Sequence, residues 1–186
     1  MTKLFTIIVL TALLSSCTSE KEQNPFLINK QNIGLLTDST QVKDLKLVFA
    51  KDSILQPSLK GDQFILQNND IEIYSSEGIK MLILSPRRVL DSTSVIGSVR
   101  ILSENYKTEK DISLLSTFKD IKEAYKISSI SNLINSVVIY IDEIDASFTI
   151  DKKELPANLR FDMTLKIEPV QIPDAAQVKY FIMHWQ

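Results

Sequence analysis

Asp70-Ile71-Glu72-Ile73-Tyr74-Ser75-Ser76-Glu77-Gly78-Ile79-Lys80-Met81-Leu82-Ile83-Leu84 is the stretch that decides how this chain folds. Its first five residues alternate polar and apolar with period two, which places Ile71 and Ile73 on one face of a strand and Glu72 and Tyr74 on the other. Ser75-Ser76-Glu77-Gly78 suits a hairpin loop, and the run 79–84 returns as the second strand. Outward from this hairpin, strand signals recur at 95–102, 137–141, 145–150 and 178–185. Pro169, Pro173 and Asp174 punctuate the approach to the last of these. Strands dominate.

Two short helices are expected among them. The first begins near Asp38 and Ser39, with Asp38 and Gln41 as a capping pair, and carries Val42, Leu45, Val48 and Phe49 on one face. The second starts after Ser116 and carries Phe118, Ile121, Ala124 and Tyr125 at the same spacing. Laid on each other, Val42-Lys43-Asp44-Leu45-Lys46 matches Phe118-Lys119-Asp120-Ile121-Lys122. The flanks Ile33-Gly34-Leu35-Leu36 and Ile112-Ser113-Leu114-Leu115 agree as well. Each helix precedes a strand pair, so the pattern reads as a duplicated β-α-β-β unit, with half-repeats over 32–85 and 111–151. A short strand and one helix cannot close a core alone, so the two units share one. The expected class is α+β: antiparallel sheet with two short helices packed on it, forming a single globular domain over 32–186. A hydrophobic content of 44% supports a packed core of that size.

The N-terminus has a different character. Lys3 supplies a positive start, and 4–14 is apolar apart from Thr6 and Thr11, too short to span a bilayer. Small residues then lead to the only cysteine, in Leu14-Ser15-Ser16-Cys17. This is the layout of a secretory signal over 1–16, and the cut site resembles the lipobox of bacterial lipoproteins, in which the cysteine is lipidated and becomes the mature N-terminus. Acyl chains contribute roughly 0.8 kcal/mol per buried methylene, so two or more anchor a protein stably without a spanning helix. After Cys17 the longest apolar run is 137–141. The polar segment 17–31, interrupted by Pro25, reads as a flexible tether. Ser19-Glu20-Lys21-Glu22 looks like the charged export tag of some Bacteroidota lipoproteins that move to the cell surface; the plain alternative is a solvated tether.

Composition narrows the chemistry. Four scattered glycines, Gly34, Gly61, Gly78 and Gly97, form no phosphate-cradling loop or dinucleotide fingerprint. His184 is the only histidine, and no strained nucleophile turn accompanies it, so it reads as a strand-end residue. The lone Cys17 is assigned to lipid and one histidine cannot build a zinc site, so no catalytic residue, metal site or cofactor is expected. Carboxylates remain. Asp142, Glu143 and Asp145, with Asp151 nearby, offer oxygen ligands or a glycosidase-like pair, but no glycine supplies the sharp turn of a calcium loop, and Asp142 and Glu143 read better as the polar turn between two strands. On the last strand Phe181, Met183 and Trp185 share one face and Tyr180, Ile182 and His184 the other, and the Met-containing face suits core.

Charge points to partners. The formal net charge is −2, and removal of Lys3 with the signal shifts it to −3, which argues against nucleic acid. Against that background Arg87, Arg88, Arg100, Lys107 and Lys110 make one locally basic stretch, which holds every arginine except Arg160. Arginine's planar fork suits carboxylates and phosphates. Arg87, Arg88 and Arg100 are thus the candidate docking residues for an acidic envelope protein or anionic glycan.

Phe148-Thr149-Ile150-Asp151-Lys152-Lys153-Glu154-Leu155-Pro156 and Ile172-Pro173-Asp174-Ala175-Ala176-Gln177-Val178-Lys179-Tyr180-Phe181-Ile182-Met183-His184-Trp185, with the lipobox, resemble small uncharacterised lipoproteins of Bacteroidota. The resemblance implies lipidation at Cys17 and an outer-membrane location, facing the periplasm or the cell surface. It carries no activity. The expected function is therefore a lipid-anchored, non-enzymatic binding or structural module of the envelope. The alternative is a carboxylate-dependent enzyme such as a glycan hydrolase.

Overall fold

The computed structural model describes residues 24–56 and 69–185; the signal 1–16 and the lipobox with Cys17 lie outside the described residues. In chain order the elements are β1 (Leu27–Ile28), β2 (Asn32–Ile33), β3 (Leu36–Thr37), α1 (Leu45–Val48), β4 (Ser53–Leu55), β5 (Ile71–Tyr74), β6 (Lys80–Pro86), β7 (Ile96–Ile101), β8 (Lys107–Thr108), α2 (Phe118–Ala124), β9 (Ser129–Asn132), β10 (Ser136–Ile141), β11 (Ala146–Asp151) and β12 (Val178–His184). Eight strands form one antiparallel sheet in the order β4-β5-β6-β7-β12-β11-β10-β9. The four short strands form a second sheet, β3-β2-β1-β8, in which β1 runs parallel to β8. The class is α+β, as the dominant strand signals with two short helices predict.

One hydrophobic cluster joins the large sheet to the helices and the small sheet. It holds Ile71, Ile73, Leu82, Leu84, Val99, Ile101, Phe148, Phe181 and Met183 from the sheet, with Leu45, Phe118 and Ile121 from the helices and Ile28, Ile33 and Leu36 from the small sheet. Phe148 and Phe181 lie opposite each other on β11 and β12, with ring centroids 4.5 Å apart and planes 28° from parallel. The helices are too short to be stable alone. Burial of Leu45, Phe118 and Ile121 holds them in place. Gly78 closes the β5–β6 hairpin at φ 80°, a left-handed conformation that glycine adopts without cost.

Two expectations need correction. The first helix does not begin at Asp38. Asp38 and Ser39 lie in a turn closed by Thr40 N–H donating to Thr37 O and by Thr37 N–H donating to Thr40 Oγ1. Such local hydroxyl bonds compete with helix. The helical segment starts instead at Val42 with a 3-10 turn to Asp44, and its Gln41 N-cap makes no side-chain bond. The second helix does carry a cap: Thr117 Oγ1 accepts from Asp120 N–H, and the Asp120 carboxylate accepts from Thr117 N–H, a reciprocal capping box.

The tether is also shorter than 17–31. Phe26 packs edge-on against Tyr106 at 5.2 Å, Ile28 is buried, and Lys30 O accepts from Trp185 Nε1 at 3.0 Å. Two apolar residues, Phe26 and Ile28, suffice to fasten a segment whose overall composition reads as solvated. The folded part therefore includes Asn29 and Lys30 and reaches back to the first strand.

The large sheet consists of two four-stranded meanders that meet at β7 and β12. They share more than strand order. Val42 N–H donates to Ser94 O as Phe118 N–H donates to Ala176 O, and Lys43 N–H donates to Ser92 O as Lys119 N–H donates to Asp174 O. Leu102 N–H donates to Met81 O as His184 N–H donates to Asp145 O. Isolated bridges join Gln41 to Val95 and Thr117 to Gln177. Even the ladder irregularities match: Gly97 is the extra residue opposite Ser85/Pro86, and Lys179 the extra residue opposite Thr149/Ile150. These bonds equate Thr37 with Ser113, since each N–H donates to the hydroxyl three residues on, in Thr40 and Ser116. Leu36 thus corresponds to Ile112, so the flank match of Ile33 with Ile112 is three residues out of register. The matching geometry also extends past 32–85 and 111–151, to β7 and β12.

Candidate functional site

The basic stretch picked from sequence does not form one patch. Arg87 and Arg88 follow β6, and Arg87 lies across Gly97, where a Cβ would come within 2.9 Å of its Cγ. Arg88 turns into its own loop: Nε meets Asp91 Oδ2 at 2.9 Å and a terminal nitrogen donates to Thr93 Oγ1 at 3.3 Å. Arg100 is opposite Ile83 and Ile182, four residues along the strand from Arg87, on the sheet face turned from the core. That is about 13 Å along the strand. There its guanidinium lies 5.6 Å from the Tyr180 ring centroid. Lys107 pairs with Asp111 and Lys110 with Glu143. Linear clustering became separate, mostly neutralised charges, because a hairpin carries residues 87 and 100 to different ends.

The carboxylates divide in the same way. Asp142, Glu143 and Asp145 occupy the β10–β11 turn, where Asp142 and Glu143 are exposed. Glu143 pairs with Lys110 at 2.6 Å and Asp145 with Lys30 at 3.2 Å. Asp151 closes the other end of β11 and pairs with Lys179 at 2.9 Å. Backbone N–H of Lys153 and the Lys179 ammonium hold its carboxyl below the usual range. Asp151 and the turn carboxylates are thus a strand length apart, about 17 Å. They do not face each other across a cleft as glycoside hydrolysis requires.

His184 sits on the face of the sheet turned from the core, where Nε2 lies 2.7 Å from Ser147 Oγ. Burial pushes its pKa below the ordinary imidazole value, and Asp145 acts weakly the other way. Phe181, Met183 and Trp185 go to the core, as the alternation predicts, while Tyr180 and Ile182 share the other face with His184.

The arrangement best able to bind something lies where the chain gave no motif. The connection from β11 to β12 covers residues 152–177 and folds back over the β9–β10 turn. Asn132 Nδ2 fastens it there, donating to Asp162 O at 3.0 Å and Leu165 O at 2.9 Å. Between them is a cleft of about 600 Å³ lined by Ile134, Asn135, Asp151, Lys152, Lys153, Arg160, Phe161, Met163 and Lys179. Four lining residues are cationic and one, Asp151, is anionic. Arg160 Nε donates to Leu155 O at 2.7 Å. Lys152 is only 4% exposed, and its Nζ is buried without a hydrogen-bond partner among the described residues. A larger cleft of about 1120 Å³ beside α2 has the opposite balance, with Glu104, Asp111, Asp120 and Glu123 against Lys107 and Lys110.

No family model matches the sequence, and no curated protein matches it either. Among solved structures the chain is similar to the uncharacterised protein yfeY from Escherichia coli, with a TM-score of 0.52 and 13% identity. The alignment covers 84% of this chain and 98% of that one, and the likeness shows a shared fold.

Proposed function

We propose that the protein is a lipid-anchored component of the bacterial envelope, held at the outer membrane through Cys17, whose globular part binds an acidic partner without catalysing a reaction. The observation that carries the binding half is the charge of the cleft between the β9–β10 turn and the β11–β12 connection: four cations and one carboxylate, on a chain of net charge −2. A cationic concavity on an acidic protein draws anionic partners locally while the remaining surface repels them.

The placement suits an anchored protein. Asn24 follows Cys17 by seven residues, at most about 25 Å of extended chain. The first strand lies beside the β10–β11 turn, where Lys30 Nζ donates to Asp142 O at 3.1 Å and pairs with Asp145. The cationic cleft is at the opposite end of β10 and β11. Among the described residues no helix is long and apolar enough to cross a membrane.

Metabolic labelling with a fatty-acid analogue tests the anchor: the wild type takes the label and Cys17→Ala does not. Label retained by Cys17→Ala would sink it. For binding, capture of envelope components from detergent-solubilised membranes should fall in high salt and in the Lys153→Glu/Lys179→Glu double variant. Capture indifferent to both would remove the cleft from consideration.

A further inference from the structure

Lys152 is buried, and its Nζ has no hydrogen-bond partner among the described residues. Taking an ammonium out of water with nothing to pair it is among the costliest arrangements a fold can hold. The carboxylates around it are engaged elsewhere. Asp151 accepts from Lys179 Nζ and from Lys153 N–H. Asp162 feels the charge of Lys152, but its Oδ1 accepts from Thr164 N–H at 2.8 Å and Thr164 Oγ1 at 2.6 Å.

The other meander shows what a self-sufficient cation looks like at this place. Pro86 corresponds to Ile150 through the shared ladder irregularity, so Arg88 corresponds to Lys152. Arg88 is exposed and held by Asp91 and Thr93 within its own loop. Lys152 has neither, and it lines an open cleft together with Lys153 and Arg160. Apart from Nε, the Arg160 guanidinium makes no hydrogen bond among the described residues. The same cleft carries large apolar side chains in water: Phe161 is 89% exposed, Ile134 69% and Met163 53%. Clustered exposed apolar groups beside a polar pocket mark a binding surface.

We infer that this cleft binds a small anionic amphiphile: a phosphate or carboxylate head neutralised by Lys152 with Lys153 and Arg160, and an apolar body resting on Phe161 and Met163. Lysine meets such a head as a point charge and Arg160 as a planar donor. The inference rests on the binding function proposed above and names the class of ligand for that same cleft.

The test uses the full chain in a neutral detergent, titrated with butyl phosphate, butyrate, inorganic phosphate and butanol. The readouts are the thermal unfolding midpoint and, for the phosphates, the phosphorus-31 line width. Butyl phosphate or butyrate should raise the midpoint, as any ligand of the folded state does. For butyl phosphate, half-saturation should come at a concentration about tenfold below that for inorganic phosphate, with butanol inert. Preference between butyl phosphate and butyrate tells which head the cleft takes. Lys152→Met should weaken binding of the favoured probe about tenfold or more without lowering the ligand-free midpoint. Phe161→Ser, at a surface position, should bring butyl phosphate down to the level of inorganic phosphate and leave the latter unchanged. Inorganic phosphate binding as well as butyl phosphate would overturn the amphiphile and leave an anion cleft standing. Binding unaffected by Lys152→Met would overturn the role of Lys152, and no binding by any probe would overturn both the inference and the binding function of this cleft.

Discussion

The two meanders of the large sheet place their last two strands in the same ladder and then treat the connection between those strands differently. In the first, nine residues join β6 to β7, and the cation at the turn, Arg88, has its own carboxylate three residues on. In the second, residues 152–177 join β11 to β12, and the corresponding Lys152 is covered, with no hydrogen-bond partner for its Nζ among the described residues. Shared backbone geometry with divergent loops is how a repeated scaffold acquires a site on one copy only: the sheet sets the position, and the loop sets the chemistry. The core differs in the same direction. Phe148 faces Phe181 in the second meander where Leu84 faces Val99 in the first. The second half carries both the bulkier packing and the long connection that spans it.

That contrast is broken most severely at the aromatic pair. Phe181→Ala removes a fully buried ring stacked on Phe148 and should destabilise the chain by about 3–5 kcal/mol in urea titration. Val99→Ala, at the corresponding place, removes only two buried methyl groups and should cost roughly 2 kcal/mol. Equal losses would mean that the two halves contribute alike to the core.

The cations should respond with opposite signs. Arg88→Met breaks an exposed ion pair and should cost at most about 1 kcal/mol. Lys152→Met places an apolar chain of similar length where an unpaired ammonium is buried, and should stabilise the ligand-free protein by about 1–4 kcal/mol. Loss of stability in Lys152→Met would show that the ammonium has a partner in solution, and the two loops would then be alike.

These particulars explain what the sequence could reveal. Strand signals located β5, β7 and β10–β12 to within about a residue, and in β5 the signal was a period-two alternation, because one face must be apolar. The α+β class followed from hairpin-forming strand signals that outnumber two short helices. The two-residue strands β1, β2, β3 and β8 carry too few residues for any period, and Phe26 and Ile28 were hidden in a polar context. The cleft was illegible for a different reason. Asp151-Lys152-Lys153-Glu154 looks like a solvated turn, and the segment that closes the cleft beside it is fastened through backbone carbonyls of Asp162 and Leu165 that meet Asn132. Carbonyls leave no trace in a sequence. Of the three arginines read together, Arg88 is engaged within its own loop and Arg100 lies by the Tyr180 ring, contacts that nearness along the chain does not announce.

Helix starts sharpen the comparison at lower energy. Thr117→Ala removes the hydroxyl that caps α2 and should cost about 1 kcal/mol, read as a shift of the urea midpoint. Gln41→Ala, at the corresponding position before α1, removes a side chain that caps nothing, and the midpoint should stay within about 0.5 kcal/mol of wild type. A matching loss at Gln41 would mean that both helix starts are capped in solution.

The smallest expected effect concerns protons. His184 corresponds to Leu102, and Ser147 to Ile83, so an apolar corner of the first meander is a hydrogen-bonded Ser–His pair in the second. Burial lowers the pKa of His184 in the folded state below its unfolded value near 6.5. Above pH 6.5 the ring is neutral in both states and nothing is lost. As pH falls through 6.5 the unfolded chain takes up a proton that the folded chain resists, so stability declines until the lowered folded pKa is reached. Asp145 softens the decline by favouring the charged ring, although its carboxylate is already shared with Lys30. In His184→Leu, which copies the corner of the first meander, this part of the pH dependence should vanish. Urea midpoints at pH 7.5 and pH 5.0 measure it: the wild type should lose more between the two than the variant. An identical fall in both proteins would show that the carboxylates alone set the acid response, and that the Ser147–His184 pair leaves the second meander no more sensitive to acid than the first.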